Sequence, residues 1–482
     1  MIKNERQYRI TKTQADKFAE ALRRVETAPS STNPLMVKAS REALESQLAD
    51  LQADIEEYEL LRSGNVHLVE VESFQELPAA FIRARIAAGL SQKELGERLD
   101  MKEQQIQRYE ATDYAGASFS TLSAIVNALG VSMREDILVP TDNLTVSKFL
   151  TRLESLGLDK SFVQKRLFPR DASASLPKTG PQTGELVFKT ASNLRRVYGW
   201  SLAESIGPMA PKFDLAAAGA ARFKLPVRVA DNRLSAYTLY AYHLATVAIQ
   251  VTPTLEPKPI PRKPLDVVEA ITQQYGALTL ASALDYVWNL GIAVLPLQDT
   301  GAFHGAFWRI NGRGVIVLKQ QTASEARWLF DLLHEVWHAG EEPDQPERSL
   351  LELPETDPDR RQSTEERHAS MFAGNVVLAG RAEELVGLVL KETDGVIPRF
   401  KAAVQEVAAR EGVAAGSLAN YLAFRLSLQG RNWWGTANNL QPEGDPWTIA
   451  RDAFILRCDL FQVTLTDREL LARALEEPEV AA

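Results

Sequence analysis

The chain has 482 residues, with 54 Lys+Arg against 63 Asp+Glu, a formal net charge of −9 and 45% apolar residues. Those proportions belong to an ordinary globular protein and exclude a disordered, collagen-like or disulfide-scaffold chain; the length predicts several domains. The acidic balance argues against wholesale coating of nucleic acid and leaves room for one small DNA-reading module. The single cysteine, Cys458, cannot close an internal disulfide. The opening MIKNERQYRITKTQ has no signal-like apolar stretch, and no window approaches eighteen uninterrupted apolar residues. A cytoplasmic protein without a membrane span is expected.

Residues 1–76 predict a helical, coiled-coil-like arm. In 13–25, Phe18, Leu22 and Val25 share one helical face, and Thr13 and Asp16 stand in capping-box positions at its start. After an SSTNP turn, Leu44, Leu48, Leu51, Ile55 and Tyr58 recur at alternating steps of four and three, the seam spacing of a coiled coil. The two helices could pair as a hairpin or zip two chains into a homodimer.

Residues 77–140 carry four short helical patterns. AAFIRARIAAGL is followed by SQKELGERL, capped by Ser91; a tight Asp100-Met101 turn leads to KEQQIQRYE, and STLSAIVNALGV closes the group. Two short helices joined by such a turn can place the second in a major groove. That helix would present Lys102, Gln104, Gln105, Gln107 and Arg108, since Gln pairs with adenine and Arg or Lys with guanine. Gln92 opens the preceding helix and joins the expected DNA-binding set, and Arg83, Arg85, Lys93 and Arg98 are placed for phosphates. The run Arg85, Gly89, Leu90, Ser91, Gln92, Glu94, Leu95, then Ile106, Arg108, Tyr109, Glu110, then Leu122, Ile125, Ala128 to Val131, resembles the Xre/phage-repressor helix-turn-helix family. Gly96 stands where that family usually has Ala, and Asp100 where its turn usually has Gly.

The Pro-, Ser- and Gly-rich stretch 168–184 and the prolines between 253 and 264 read as linkers within a helical middle segment, 141–265. Beyond it, GIAVLPL (291–297) and AFWRI-NG-RGVIVL (306–318) predict a strand and a hairpin, with Asn311-Gly312 suited to a type I′ turn.

The chemistry concentrates next. His334 and His338 lie in LLHEVWHAG, on a helix expected from Thr322 and Glu325 as a capping box and from the stripe Ala326, Phe330, Leu333 and Trp337. Four residues make just over one turn, so both imidazoles can share one ion at about 2.0–2.1 Å. Between them Glu335 completes H-E-x-x-H, in which the Glu is general base for a metal-activated water. A second helix, TEERHASMFAGNVVL (364–378), with Ala369, Phe372, Ala373 and Val376 inward, could bring a third ligand: His368, with Glu365 one turn earlier as the alternative. His304, His67 and His243 read as structural. The acidic insert 341–359 reads as a solvated loop, and the tail 391–482 as helices plus a loop whose Trp433 and Trp434 serve as packing.

This arrangement resembles the ImmA/IrrE family of metallopeptidase-like proteins, through Arg327, Phe330, His334, Glu335, His338, Ala369, Phe372 and Ala373. Trp337 occupies the usual Gly position, and His368 the position of the family's third-ligand Glu. The resemblance implies a Zn2+ cofactor, a zincin-like α+β domain over 266–390, and frequent fusion to an Xre helix-turn-helix. The expected fold class is therefore multidomain and mainly α: an all-α helix-turn-helix domain, an α+β zincin-like metallopeptidase domain and a C-terminal helical segment, 391–482. The expected function is a DNA-binding bacterial transcriptional regulator with a zinc-dependent metallopeptidase domain, acting on a double-stranded operator and on a protein partner such as a repressor or toxin. The resemblance places it in control of a stress, mobile-element or toxin-antitoxin operon. The alternatives are a non-catalytic regulator or antitoxin whose metal domain senses or scaffolds, and a peptidase with a vestigial DNA module.

Overall fold

In the computed structural model the described chain divides into two compact units, Met1–Ile137 and Leu138–Ala482. The structure describes all residues except 27–33, 65, 67–68, 70, 72–75, 132–137, 139–143, 171, 173–179, 208–209, 216–231, 300–302, 304, 353–362, 443 and 477–482. His67, His304, most of the SSTNP turn, the centre of the first linker and the end of the acidic insert lie outside the described residues.

The first unit opens with a long α1 (Glu5–Glu26) and α2 (Pro34–Arg62). α1 starts eight residues before the Thr13/Asp16 cap expected from the sequence, because Asn4 Oδ1 accepts from Gln7 N at 3.0 Å while Gln7 Oε1 accepts from Lys3 N at 2.8 Å. The two helices pair within the chain as a hairpin: Tyr8 stacks on Tyr58 at 5.2 Å, and Arg62 meets Glu5 at 2.6 Å. At its base Ile2, Tyr58 and Leu61 enter one apolar core with Leu77, Phe81, Ile82, Leu95, Ile106 and Ile125. These last belong to α3 (Leu77–Ala87), α4 (Gln92–Leu99), α5 (Glu103–Ala111) and α6 (Phe119–Leu129).

The turn between α4 and α5 rests on both residues noted as unusual. Asp100 takes the left-handed conformation at φ 53° and closes α4, a role an Asp fills through its short polar side chain. A Cβ at Gly96 would come 2.8 Å from Met101 O, so only glycine lets the turn fold this closely over α4.

The second unit surrounds a four-stranded sheet, β1 (Ile292–Leu297), β2 (Gly305–Ile310), β3 (Arg313–Lys319) and β4 (Arg348–Glu352), in the order β1-β3-β2-β4. β1 and β3 run parallel, and the β2/β3 and β2/β4 pairs are antiparallel. The hairpin turn is as expected, with Asn311 at φ 51° and Gly312 at φ 79°, the two positive angles a type I′ turn needs. β4 corrects the reading of 341–359 as loop: Leu350 and Leu351 pair opposite Phe307 and Ala306 and close the sheet edge.

One continuous core runs from Val146 to Leu475, so the boundaries expected at 265 and 390 fall inside a single packed unit. Helix Asn232–Gln250 supplies eleven buried residues and packs on the sheet, as does helix Glu325–Ala339. Trp433 packs edge-on against Phe400 at 6.1 Å, and Arg327 lies over the Trp434 ring at 4.3 Å, in keeping with a packing role. Among the described residues no helix is long and apolar enough to cross a membrane.

Candidate functional site

Helix Glu325–Ala339 carries H-E-x-x-H. Its N-cap is Ser324, whose Oγ accepts from Arg327 N at 3.0 Å; Thr322, expected in that role, instead accepts from Ser324 N at 3.2 Å. Phe330, Leu333 and Val336 hold the helix against the core, and His334, Glu335 and His338 are fully buried on it. The four-residue spacing works as expected, since the two Nε2 atoms stand 3.2 Å apart and point to one place.

The third side chain of the candidate group comes from helix Thr364–Val377, and it is Glu366. Its Oε2 lies 3.3 Å from His334 Nε2 and its Oε1 3.4 Å from His338 Nε2, and these three side chains form a group able to hold a metal ion. A tetrahedral ion with bonds of about 2.0–2.1 Å keeps its ligand atoms about 3.3–3.4 Å apart. The two imidazole nitrogens stand near that spacing, and with one carboxylate oxygen they lie within 4.8 Å of one another.

His368 stays outside this group. It is exposed and flanks the indole of Trp337 at 6.1 Å, because a step of two residues from Glu366 turns it well away along the helix. Glu365 lies outside the group as well. Its Oε1 faces the other ring nitrogen, His338 Nδ1, at 3.4 Å and accepts from Arg348 at 2.8 Å. Ser370 Oγ does the corresponding work at His334 Nδ1, at 3.2 Å. Ser370 thus bonds the far nitrogen of His334, and Glu365 stands in ion-pair contact beside that of His338.

The charges of the group are set by one another. Burial pulls the His338 pKa down, but Glu365 and Glu366 outweigh it and raise the value to about 9. Burial pushes Glu366 up, and the two imidazoles more than reverse this, holding its carboxylate well below the usual range. Trp337 stands beside the group, its ring 5.2 Å from that of His338 and covered by the Arg262 guanidinium at 4.9 Å.

The other candidate set lies on α4 and α5. Ser91 caps α4 through a full capping box with Glu94. Lys102, Gln104, Gln105, Gln107 and Arg108 are all exposed along α5, with Gln107 donating to Glu103 at 2.8 Å. Gln92 departs from the expectation. It is 8% exposed and donates to Glu110 at 2.7 Å, because Glu110 is buried and must be satisfied from within. Arg85 is the other partner of Glu110, with contacts of 2.5 and 2.8 Å, and so serves the core and not a phosphate. Arg83 meets Glu57 at 2.7 Å and Arg98 donates to Ala128 O at 2.9 Å.

A helix-turn-helix family model matches residues 82–135. Sequence and geometry agree here: this part of the chain is a helix-turn-helix, the module with which DNA-binding regulators read duplex. No curated protein and no solved structure matches the chain.

Proposed function

We propose that the chain is a DNA-binding transcriptional regulator whose second unit is a zinc-dependent peptidase of the ImmA/IrrE kind. The observation that carries the metal half is the convergence of His334 Nε2, His338 Nε2 and a Glu366 carboxylate oxygen within 4.8 Å of one another, from two helices. Two imidazoles and one carboxylate are a recurrent catalytic zinc set with a fourth position left for reactants. Zinc in such a site supplies Lewis acidity toward carbonyls and acidifies water.

The protein's own part is positioning and proton transfer. Glu365 and Ser370 fix the ring orientations. Glu335, fully buried between the two ligands in sequence, takes a proton from water as it adds to a peptide carbonyl and passes it to the leaving amine. The partner is a protein such as a repressor or toxin, encoded with the operator that the helix-turn-helix reads, in a stress, mobile-element or toxin-antitoxin operon.

Glu335→Gln tests this reading. It should keep zinc and DNA binding while zinc-dependent cleavage of a neighbouring operon's proteins is lost. Equal output from both proteins, with no cleavage by either, would leave the non-catalytic regulator. That second reading draws on Trp337, whose covered indole adds bulk beside the ligands.

A further inference from the structure

The cations of the first unit are mostly spent inside it. Arg62, Arg83 and Arg85 are paired with Glu5, Glu57 and Glu110. Lys93 lies 3.8 Å from Glu97, and Arg98 is bonded to Ala128 O. Among the described residues of this unit, four exposed cations enter no side-chain ion pair or hydrogen bond: Lys102 and Arg108 at α5, and Arg6 and Lys17 on α1. The first two are the expected readers. The other two have no role in the fold.

Arg6 and Lys17 lie on one side of α1. Steps of three and four place Arg6, Arg9, Thr13 and Lys17 along one exposed stripe, opposite Ala15, Phe18 and Leu22, which face the hairpin. Arg9 meets only Glu5 of its own helix, at 3.3 Å and largely in solvent. On the same side of α1, Glu20 is paired with Arg24 at 2.5 Å, Glu5 meets Arg9 and Arg62, and exposed Asp16 borders the stripe.

α1 also begins beside the reading helices. Asn4 donates to Gln92 Oε1 at 3.4 Å, and Gln92 opens α4, the helix that crosses the duplex backbone in this motif. Lys3 Nζ donates to Glu110 O at 2.6 Å and Asp113 at 2.7 Å, at the end of α5, and Lys3 O accepts from Arg85 at 2.6 Å. The start of α1 is therefore bolted to the DNA-reading module. From there its 22 residues reach about 33 Å, the length of about ten base pairs.

We propose that the Arg6, Arg9 and Lys17 stripe of α1 is a phosphate-binding extension of the helix-turn-helix, gripping the backbone of duplex that flanks the site read by α5. It rests on the DNA-binding reading of α5 and assigns the N-terminal hairpin a nucleic-acid contact of its own. The contact is sequence-independent, so random duplex is an adequate probe.

The test measures affinity of the full chain against salt on random duplexes of about 12 and about 40 base pairs. Each phosphate contact contributes about 0.9 to the slope of log K against log salt. Arg6→Ala with Lys17→Ala should reduce that slope by about 2 on the long duplex, and Lys17→Ala alone, farther from the anchored start of α1, should lower it by about 1 there and leave it unchanged on the short one. The charge-keeping pair Arg6→Lys with Lys17→Arg should retain the wild-type slope, which separates charge from folding. An unchanged long-duplex slope in the alanine pair, with Arg108→Ala still lowering it, would overturn the stripe and leave α5 as the binder. If the wild type binds neither duplex at low salt, the DNA-binding reading itself fails, and the stripe with it.

Discussion

His338 turns its Nδ1 toward Glu365 Oε1 at 3.4 Å, and the same oxygen accepts from Arg348 at 2.8 Å. Arg348 belongs to β4 and also donates to the carbonyl of His338. The sheet edge is thereby tied to the orientation of one proposed ligand. Partners of this kind set the tautomer and the angle of a ligating imidazole and commonly contribute ten- to hundred-fold, about 1.4–2.7 kcal/mol, in metal affinity.

Glu365→Gln is accordingly expected to keep the site and weaken zinc by about 10–100-fold, measured by competition with a chromophoric chelator. Complete loss of metal would make Glu365 a ligand, and an unchanged affinity would remove its orienting role.

The legible and illegible parts of this site divide along the helix period. His334 and His338 could be read because a four-residue step fixes their common face in any helix. The third donor depended on the rotation of helix Thr364–Val377, and there the family position pointed to His368. The buried stripe held the better signal: Glu366 lies three, four and seven residues before Ala369, Ser370 and Ala373, all buried, whereas His368 sits on the flank. β4 was hidden because its two leucines are enclosed by acidic and proline-rich sequence, and only pairing with β2 defines it. The single core of the second unit was equally out of reach, since it joins Val146 to Leu475 through contacts that no local pattern encodes. The helix-turn-helix was legible almost whole, because Ser91, the Asp100-Met101 turn and the apolar steps act locally.

At α5 the expected reading residues separate from the structural one. Gln105→Ala or Arg108→Ala should each weaken binding to a cognate duplex by about 1–3 kcal/mol if each reads a base, without loss of thermal stability. Gln92→Ala should instead lower stability by about 1–3 kcal/mol, because buried Glu110 loses a donor. Gel shifts and thermal unfolding distinguish the two; an unfolding midpoint unchanged in Gln92→Ala would contradict the buried role.

Gly96→Ala tests the tight turn. Alanine favours a helix by about 1 kcal/mol, but here its Cβ would meet Met101 O at 2.8 Å, and forcing such contacts costs about 1–3 kcal/mol. Net destabilisation of the first unit is expected, seen as faster amide exchange in α4 and α5. Slower exchange would show that the turn accepts a side chain.

A pH-dependent test lies at Lys319, which is 3% exposed, donates to Phe303 O at 3.1 Å and sits over the Tyr237 ring at 4.5 Å. Burial lowers its pKa from 10.5 to about 8, with Asp299 opposing. The folded state thus binds this proton less well than the unfolded one, so the cost is full below pH 8 and disappears as pH rises toward 10.5. Lys319→Met should stabilise the protein at pH 7 by up to about 3 kcal/mol, with a smaller gain at pH 10. A difference from wild type that does not change with pH would contradict the buried-cation account.

The central claim is that His334, His338 and Glu366 hold one zinc ion. Its most direct measurement is elemental analysis of the purified full-length chain, loaded with zinc and dialysed, in wild type, Glu366→Ala and His368→Ala. The expected result is about one zinc per chain in wild type and His368→Ala, with the metal lost in Glu366→Ala. Metal retained in Glu366→Ala and lost in His368→Ala would contradict the site.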